Sequence, residues 1–200
     1  MIINPIFFGS GGGLPAGYQK VEWICGTGTQ YIDSGIVPTA NTLIITDANS
    51  QSTSGSIYEG LLEVGSPNLR LHSGTTADNS ALQIWGGISS SALQSANSDT
   101  LHRFIYGNGF VALDNVGRGE NEVTYNISFY LFTRHRNTGS DSWTGSIKKS
   151  MFKVFDGTSL IMDLVACYRI SDGVIGMYDL IGNTFYTNSG TGTFTKGSDV

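Results

Sequence analysis

The stretch LHRFIYGNGFVALDNV, residues 101–116, decides how the rest of the chain is read. Residues 102–106 and 110–115 are rich in β-branched and aromatic side chains, and the Asn108-Gly109 step between them tolerates the positive φ values of a tight hairpin turn. Outward in both directions the same grammar recurs. Short β-prone runs bounded by Gly, Asn, Asp or Ser occupy 20–24, 30–33, 41–48, 57–64, 68–72, 81–85, 127–134, 148–155, 160–166, 174–179 and 184–187. No segment keeps a helical apolar period for three turns. The Ser-rich stretch 89–98 and residues 137–142 read as loops. Strands this short and this regularly spaced predict an all-β fold, two antiparallel sheets packed as a sandwich.

Composition agrees. A chain of 200 residues suits one such domain, and 27 glycines with only 14% charged residues fit frequent turns and a polar but weakly ionic surface. Eleven Lys and Arg stand against sixteen Asp and Glu, for a net charge of -5. The basic residues are scattered apart from Lys148-Lys149 and Arg134-His135-Arg136, so no cationic face suits a nucleic-acid backbone. No apolar run approaches the roughly 18 residues of a membrane helix, and the N-terminus lacks the positive region of a secretory signal. Synthesis and folding in a cytoplasm are therefore expected. Two cysteines, Cys25 and Cys167, exclude a Cys-rich zinc module and a disulfide-dense scaffold. Two small buried thiols are the favoured reading, with a bridge open if the first and last strands pair.

The first thirteen residues, MIINPIFFGSGGG, differ from the rest. Ile2, Ile3, Ile6, Phe7 and Phe8 form a short apolar burst broken by Asn4-Pro5 and followed by glycines. Pro5 and the glycine run argue against a helix entering the domain. The burst could be an extra strand on the domain's own core. A docking peptide on a flexible tether is the better fit, because each large apolar side chain buried in a partner contributes about 1.5 to 3 kcal/mol. The chain thus divides into a docking arm, 1–13, and a β domain, 14–200.

Two stretches of the β domain carry a family resemblance. LPAGYQKVEWICGTGTQYIDSGI, residues 14–36, resembles the opening of concanavalin A-like, laminin-G-like domains common in gut bacterial and prophage proteins, with their Leu-Pro start and "TGTQYIDTG" signature. GSIKKSMFKVFDGTSLIMDLVACYRISDGVIGMYDLIGNTFYTNSGTGTFTKG, residues 145–197, resembles the same group's ending, with "GLYD", "FYTN" and "GTGTF". Residues 101–116 are similar to an internal hairpin that ends in Asp-Gly in the group, although here Asn115 follows Asp114, and YLFTRHRN at 130–137 is similar to the strand and loop after it. The resemblance covers about residues 14–197 and implies a concanavalin A-like jelly roll. It places Trp23, Tyr31, Tyr178 and Phe185 in or beside one core. Such signatures license a fold more firmly than an activity.

Catalytic chemistry finds little support. Retaining glycosidases on such folds need two carboxylates about 5 to 5.5 Å apart, usually in a Glu-x-Asp-x-x-Glu string, which is absent. Glu59 with Glu63 and Glu120 with Glu122 have the even spacing of one strand face, but the first pair reads as edge charge and the second lies in a loop-like stretch. His72, His102 and His135 lack metal-site spacing, and neither a nucleophile elbow nor a phosphate-cradling glycine loop occurs. No cofactor is expected. Calcium, which laminin-G-like domains sometimes hold, would have the loop oxygens of Asp78-Asn79 and Asp141.

Sugar binding asks instead for an exposed ring to stack on a pyranose and for amides and carboxylates to fix its hydroxyls. Tyr58, Trp85, Tyr130 and Trp143, with Asn137 and Asp141, are the residues of that kind. A lectin-like domain, no export signal and an apolar tethered peptide together imply a bacteriophage virion protein, not an enzyme: a head fibre, decoration or tail-associated adhesin anchored through its arm to another virion protein and displaying a glycan-binding domain. A homo-oligomer is compatible with this reading. The rivals are a bacterial carbohydrate-binding module and a purely structural capsid protein without ligand.

Overall fold

The β-prone runs form strands because their branched and aromatic side chains pack well on a pleated surface, while the intervening Gly, Asn and Asp permit reversal. A computed structural model describes residues 13–50, 57–62, 68–73, 82–86, 89–93, 101–107, 110–113, 116–119, 125–136, 139–141 and 146–200. In chain order the strands are β1 (Tyr18–Lys20), β2 (Ile24–Gly26), β3 (Ile32–Asp33), β4 (Thr42–Ser50), β5 (Ile57–Leu62), β6 (Asn68–Ser73), β7 (Leu82–Gly86), β8 (Ser89–Leu93), β9 (His102–Gly107), β10 (Phe110–Leu113), β11 (Val116–Gly119), β12 (Tyr130–Leu131), β13 (Arg134–Arg136), β14 (Gly139–Asp141), β15 (Ile147–Asp156), β16 (Ser159–Arg169), β17 (Ile175–Asp179), β18 (Thr184–Thr187) and β19 (Thr195–Lys196). No helix occurs among the described residues.

The strands make two sheets. The larger has eleven strands, running β11-β10-β9-β4-β15-β16-β17-β18, with β1 added to β16, β2 to β15 and β19 to β2. The smaller runs β14-β13-β5-β6-β7-β8, with β12 pairing β5 and β3. Pairing is antiparallel except between β13 and β5. The predicted hairpin is present: Phe110 pairs with Gly107, so two residues connect β9 and β10. The ends of the domain also meet, since Val21 bridges Asp199 and the Val200 N–H donates to the Lys20 carbonyl over 3.1 Å.

Several predicted boundaries change. The run 20–24 is not one strand, because the chain steps from β16, where β1 pairs, to β15, where β2 pairs. The run 127–134 is interrupted between β12 and β13 at Phe132, whose φ of 69° is rare for a bulky side chain. Residues 89–98 contain β8 and residues 137–142 contain β14, both read as loops from their polar composition. Each closes a hairpin over two intervening residues, pairing Gly86 with Ser89 and Arg136 with Gly139, so backbone pairing overrides side-chain polarity. Likewise β11 pairs back on β10 from Val116, and the predicted strand 110–115 ends at Leu113.

One apolar cluster joins both sheets. Ile44, Phe104, Tyr106, Phe152, Val154, Met162, Leu164 and Ala166 come from the larger sheet, and Ile32 and Leu131 from the smaller. Phe129, just before β12, stacks on Phe152 at 5.9 Å. Each fully buried large side chain contributes roughly 1.5 to 3 kcal/mol relative to exposure. Lys149 is also fully buried; its Nζ donates to Thr46 Oγ1 over 3.1 Å and lies 5.9 Å above the Phe132 ring.

Of the four signature aromatics expected in or beside this core, Tyr178 is buried, whereas Trp23, Tyr31 and Phe185 are half-buried. Tyr178 alternates with the core residue Met177 and therefore faces away from the cluster. It forms a second aromatic group with Tyr18, at 4.7 Å, and Tyr18 lies 5.0 Å from Phe185. Trp23 packs beneath the Lys148 ammonium, 4.5 Å from its ring. Cys25 and Cys167 are free and buried, as favoured. Burial pushes the Cys25 thiol above its ordinary range and the Cys167 thiol up to about 12.

Candidate functional site

The two signature stretches interlock at the seam between the sheets. In the segment Gln30-Tyr31-Ile32-Asp33, Ile32 is fully buried, so the period of two turns Tyr31 and Asp33 away from the core. Across the ladder, Leu131 opposite Ile32 is fully buried, and Tyr130 opposite Asp33 faces outward. The carboxy-terminal stretch holds this strand end from the other side. The Tyr31 N–H donates to Asn188 Oδ1 at 3.0 Å, the Ser189 N–H donates to the Tyr31 carbonyl at 2.8 Å, and the Thr191 N–H donates to the Thr29 carbonyl at 3.1 Å.

Three rings stack there. Tyr31 lies 4.7 Å from Tyr130 at an interplanar angle of 14°, and His135 lies 4.0 Å from Tyr130 at 5°. Two parallel rings that close cannot share one face of Tyr130 without colliding, so Tyr130 is sandwiched between them. The chain reversal at Phe132 makes this possible: β12 runs antiparallel to β5 and β13 parallel to it, which returns His135 over Tyr130. Phe132 holds its positive φ because its ring is wedged against Phe194, 4.8 Å away, and the Gly26 backbone. His135 is fixed in turn. Its Nδ1 lies 2.8 Å from the Ser128 carbonyl oxygen, which only accepts, so Nδ1 carries the proton and Nε2 is the acceptor of the neutral ring.

Acidic and phenolic groups converge on the same seam. Asp33 Oδ1 accepts the Gly35 N–H over 2.9 Å. Burial, then the Asp33 carboxylate, then the Tyr31 phenol raise the Tyr130 hydroxyl above its ordinary pKa. Burial, then Asp179, then Asp33 do the same for Tyr186 on β18. The Asp33 carboxylate thus stands within electrostatic reach of phenols from both sheets. Tyr31, Asp33, Tyr130 and His135 are half-buried, and Tyr186, also half-buried, packs against the apolar cluster opposite Met177.

Tyr130 was the only residue of this cluster predicted as a sugar platform, and the geometry revises its role. Both faces of its ring are covered, so it can offer its hydroxyl and ring edge but no stacking face. Tyr58, Trp85 and Asp141 fall on β5, β7 and β14, all in the same smaller sheet as Tyr130. Asn137, Trp143, Glu63, Glu120, Glu122 and Asp78-Asn79 lie outside the described residues, as do Ile2, Ile3, Ile6, Phe7 and Phe8. Glu59 falls on β5, His72 on β6 and His102 on β9. Sequence reading placed Tyr31 in the core and set His135 aside as isolated; the signal it passed over was the alternation around Ile32, which puts Tyr31 and Asp33 outside.

No group of three His, Cys, Asp or Glu side chains able to hold a metal occurs among the described residues. Comparison of the chain with protein-family models, curated proteins and solved structures finds no match.

Proposed function

We propose that this chain is a virion-associated display and adhesion protein, a head fibre, capsid decoration or tail-associated protein. Its N-terminal peptide docks on the particle, and its domain, a concanavalin A-like jelly roll, faces outward to bind host or mucosal glycans. The observation that carries this reading is that the domain is closed by its own two ends. Strand β1 pairs with β16, Val21 bridges Asp199, and Val200 hydrogen-bonds to Lys20. The apolar peptide and its glycine tether precede, in sequence, a strand that already has its partner, and on this reading their large apolar side chains serve another chain.

Two features support the sandwich and glycan parts of the reading. Both sheets feed one core, as in a sandwich, and the two ends adjoin. The tyrosines, histidine and carboxylate of the seam are chemistry suited to sugar hydroxyls. The test is incorporation: particles lacking the protein are mixed with the full chain or with residues 14–200, and the pellet is assayed for each. Uptake of the full chain alone supports the reading; equal uptake of both sinks the anchoring role of the arm.

A further inference from the structure

We propose that Tyr31, Asp33, Tyr130 and His135 form a saccharide site that takes an uncharged sugar edge-on, through its hydroxyls. This deepens the adhesion reading and rests on its glycan-binding half. It also moves the sugar site from isolated aromatic platforms to the seam between β3, β12 and β13.

The geometry sets the mode of binding. A pyranose stacks on a ring whose face is open, and the Tyr130 ring has none, being closed by Tyr31 on one side and His135 on the other. What Tyr130 can offer is its edge and its hydroxyl, between the rings of Tyr31 and His135. The stack is held in place before any ligand arrives. Tyr31 is pinned through its backbone to Asn188 and Ser189, and a side chain on Gly190 would meet the Tyr31 ring at 3.0 Å, so the Gly190 backbone lies against it. His135 is pinned to the Ser128 carbonyl. Preorganised groups lose little conformational freedom when a ligand binds.

The donor and acceptor inventory sets the class of ligand. Asp33 offers a carboxylate that only accepts. The neutral His135 ring donates from Nδ1 to the Ser128 carbonyl, which leaves Nε2 to accept, and the phenols of Tyr31 and Tyr130 both donate and accept. A site richer in acceptors than donors matches sugar hydroxyls, each of which carries a proton to give. The Asp33 carboxylate opposes carboxylate-bearing sugars such as sialic or uronic acids. None of these four side chains is a Lys or Arg that would offset that repulsion.

The experiment uses the full chain on an immobilised panel of neutral glycans, ending in galactose, mannose, fucose or N-acetylglucosamine, alongside sialic acid- and uronic acid-ended glycans. Two variants are run beside it. Tyr130→Phe keeps the ring stack and removes only the hydroxyl, and Asp33→Asn keeps an oxygen for the Gly35 N–H; thermal melting verifies that both fold. The expected result is binding to one or more neutral glycans, weakened by about tenfold or more in each variant, as loss of one good hydrogen bond implies. Neutral binding undiminished in both folded variants overturns the site while leaving the glycan-binding reading standing. Binding confined to acid-ended glycans overturns the ligand class. No binding to any glycan overturns both the site and the glycan half of the adhesion reading, while particle incorporation still decides the anchoring half.

Discussion

The backbone N–H of Tyr31 donates to the side-chain oxygen of Asn188, 157 positions away, over 3.0 Å. The same oxygen accepts the Gly190 N–H at 2.8 Å, and the Asn188 amide nitrogen donates to the Gly192 carbonyl at 2.9 Å. One side chain thus ties the carboxy-terminal turn to the strand end that carries the aromatic stack. Asn188→Ala removes all three bonds and leaves partly buried N–H groups without this partner. We expect a loss of about 1 to 3 kcal/mol in urea unfolding. Asn188→Asp, which keeps the acceptor and loses only the donor, is expected to lose less.

Gly190 is required by contact. A Cβ there would sit 2.0 Å from the Thr29 carbonyl oxygen and 3.0 Å from the Tyr31 ring, and the first of these neighbours is backbone that cannot swing away. Gly190→Ala should therefore destabilise the domain by about 1 to 3 kcal/mol, the usual range for overpacking. It should also perturb the Tyr31 stack. An unchanged melting temperature would show that the turn does not close on Tyr31.

The thiols give a prediction in pH. Burial raises Cys25 and takes Cys167 from an ordinary 9.0 up to about 12, so the folded state keeps a proton that the unfolded state releases. The contribution to stability is complete below pH 9 and declines as pH rises from there through about 12. In native protein at pH 8, neither thiol should react with a thiol-specific disulfide reagent, because the thiolate is the nucleophile. In denaturant both should react. Rapid native labelling of either cysteine would contradict the burial described.

Lys153 and Asp163 form an ion pair of 2.7 Å, with side chains 15% and 1% exposed. Asp163 Oδ1 is buried without a hydrogen-bond partner, so the pair is only partly satisfied. Removing one member strands the other: Asp163→Ala should cost about 3 kcal/mol or more. Replacing both, with Lys153→Met and Asp163→Leu together, should cost less than the single change. A double variant as unstable as Asp163→Ala would mean that the cost of the single change does not come from stranding Lys153.

Strands of branched and aromatic residues were legible in the sequence, and strands of small polar ones were not. β4, β15, β16, β17 and β18 follow runs of branched and aromatic residues that announce themselves, and the Asn108-Gly109 step announces the β9-β10 hairpin. β8 opens on three serines before Ala92 and Leu93, and β14 is Gly-Ser-Asp, none of them strong β formers; both strands exist because a two-residue connection delivers them to a partner strand. The site was hidden for a different reason. Tyr31 and Asp33 could be placed outward from the alternation about Ile32, but the stacking of His135 on Tyr130 depends on a chain reversal at Phe132, a residue whose type argues against positive φ. No local rule predicts it, since the wedge that holds Phe132 is supplied by Phe194 and Gly26 from the two ends of the domain.

The central claim, that an apolar arm fixes a self-closed domain to a particle, is tested most directly by changing the arm's chemistry and not its length. Phe7→Asp and Phe8→Asp together in the full chain replace two large apolar anchors, worth roughly 1.5 to 3 kcal/mol each when buried, with charges that resist burial. Wild type, this double variant and residues 14–200 are each mixed with particles lacking the protein and co-sedimented. The account predicts that wild type pellets with the particles while the double variant and the truncated domain both stay in the supernatant, folded by thermal melting. Co-sedimentation of the double variant at the wild-type level would contradict it.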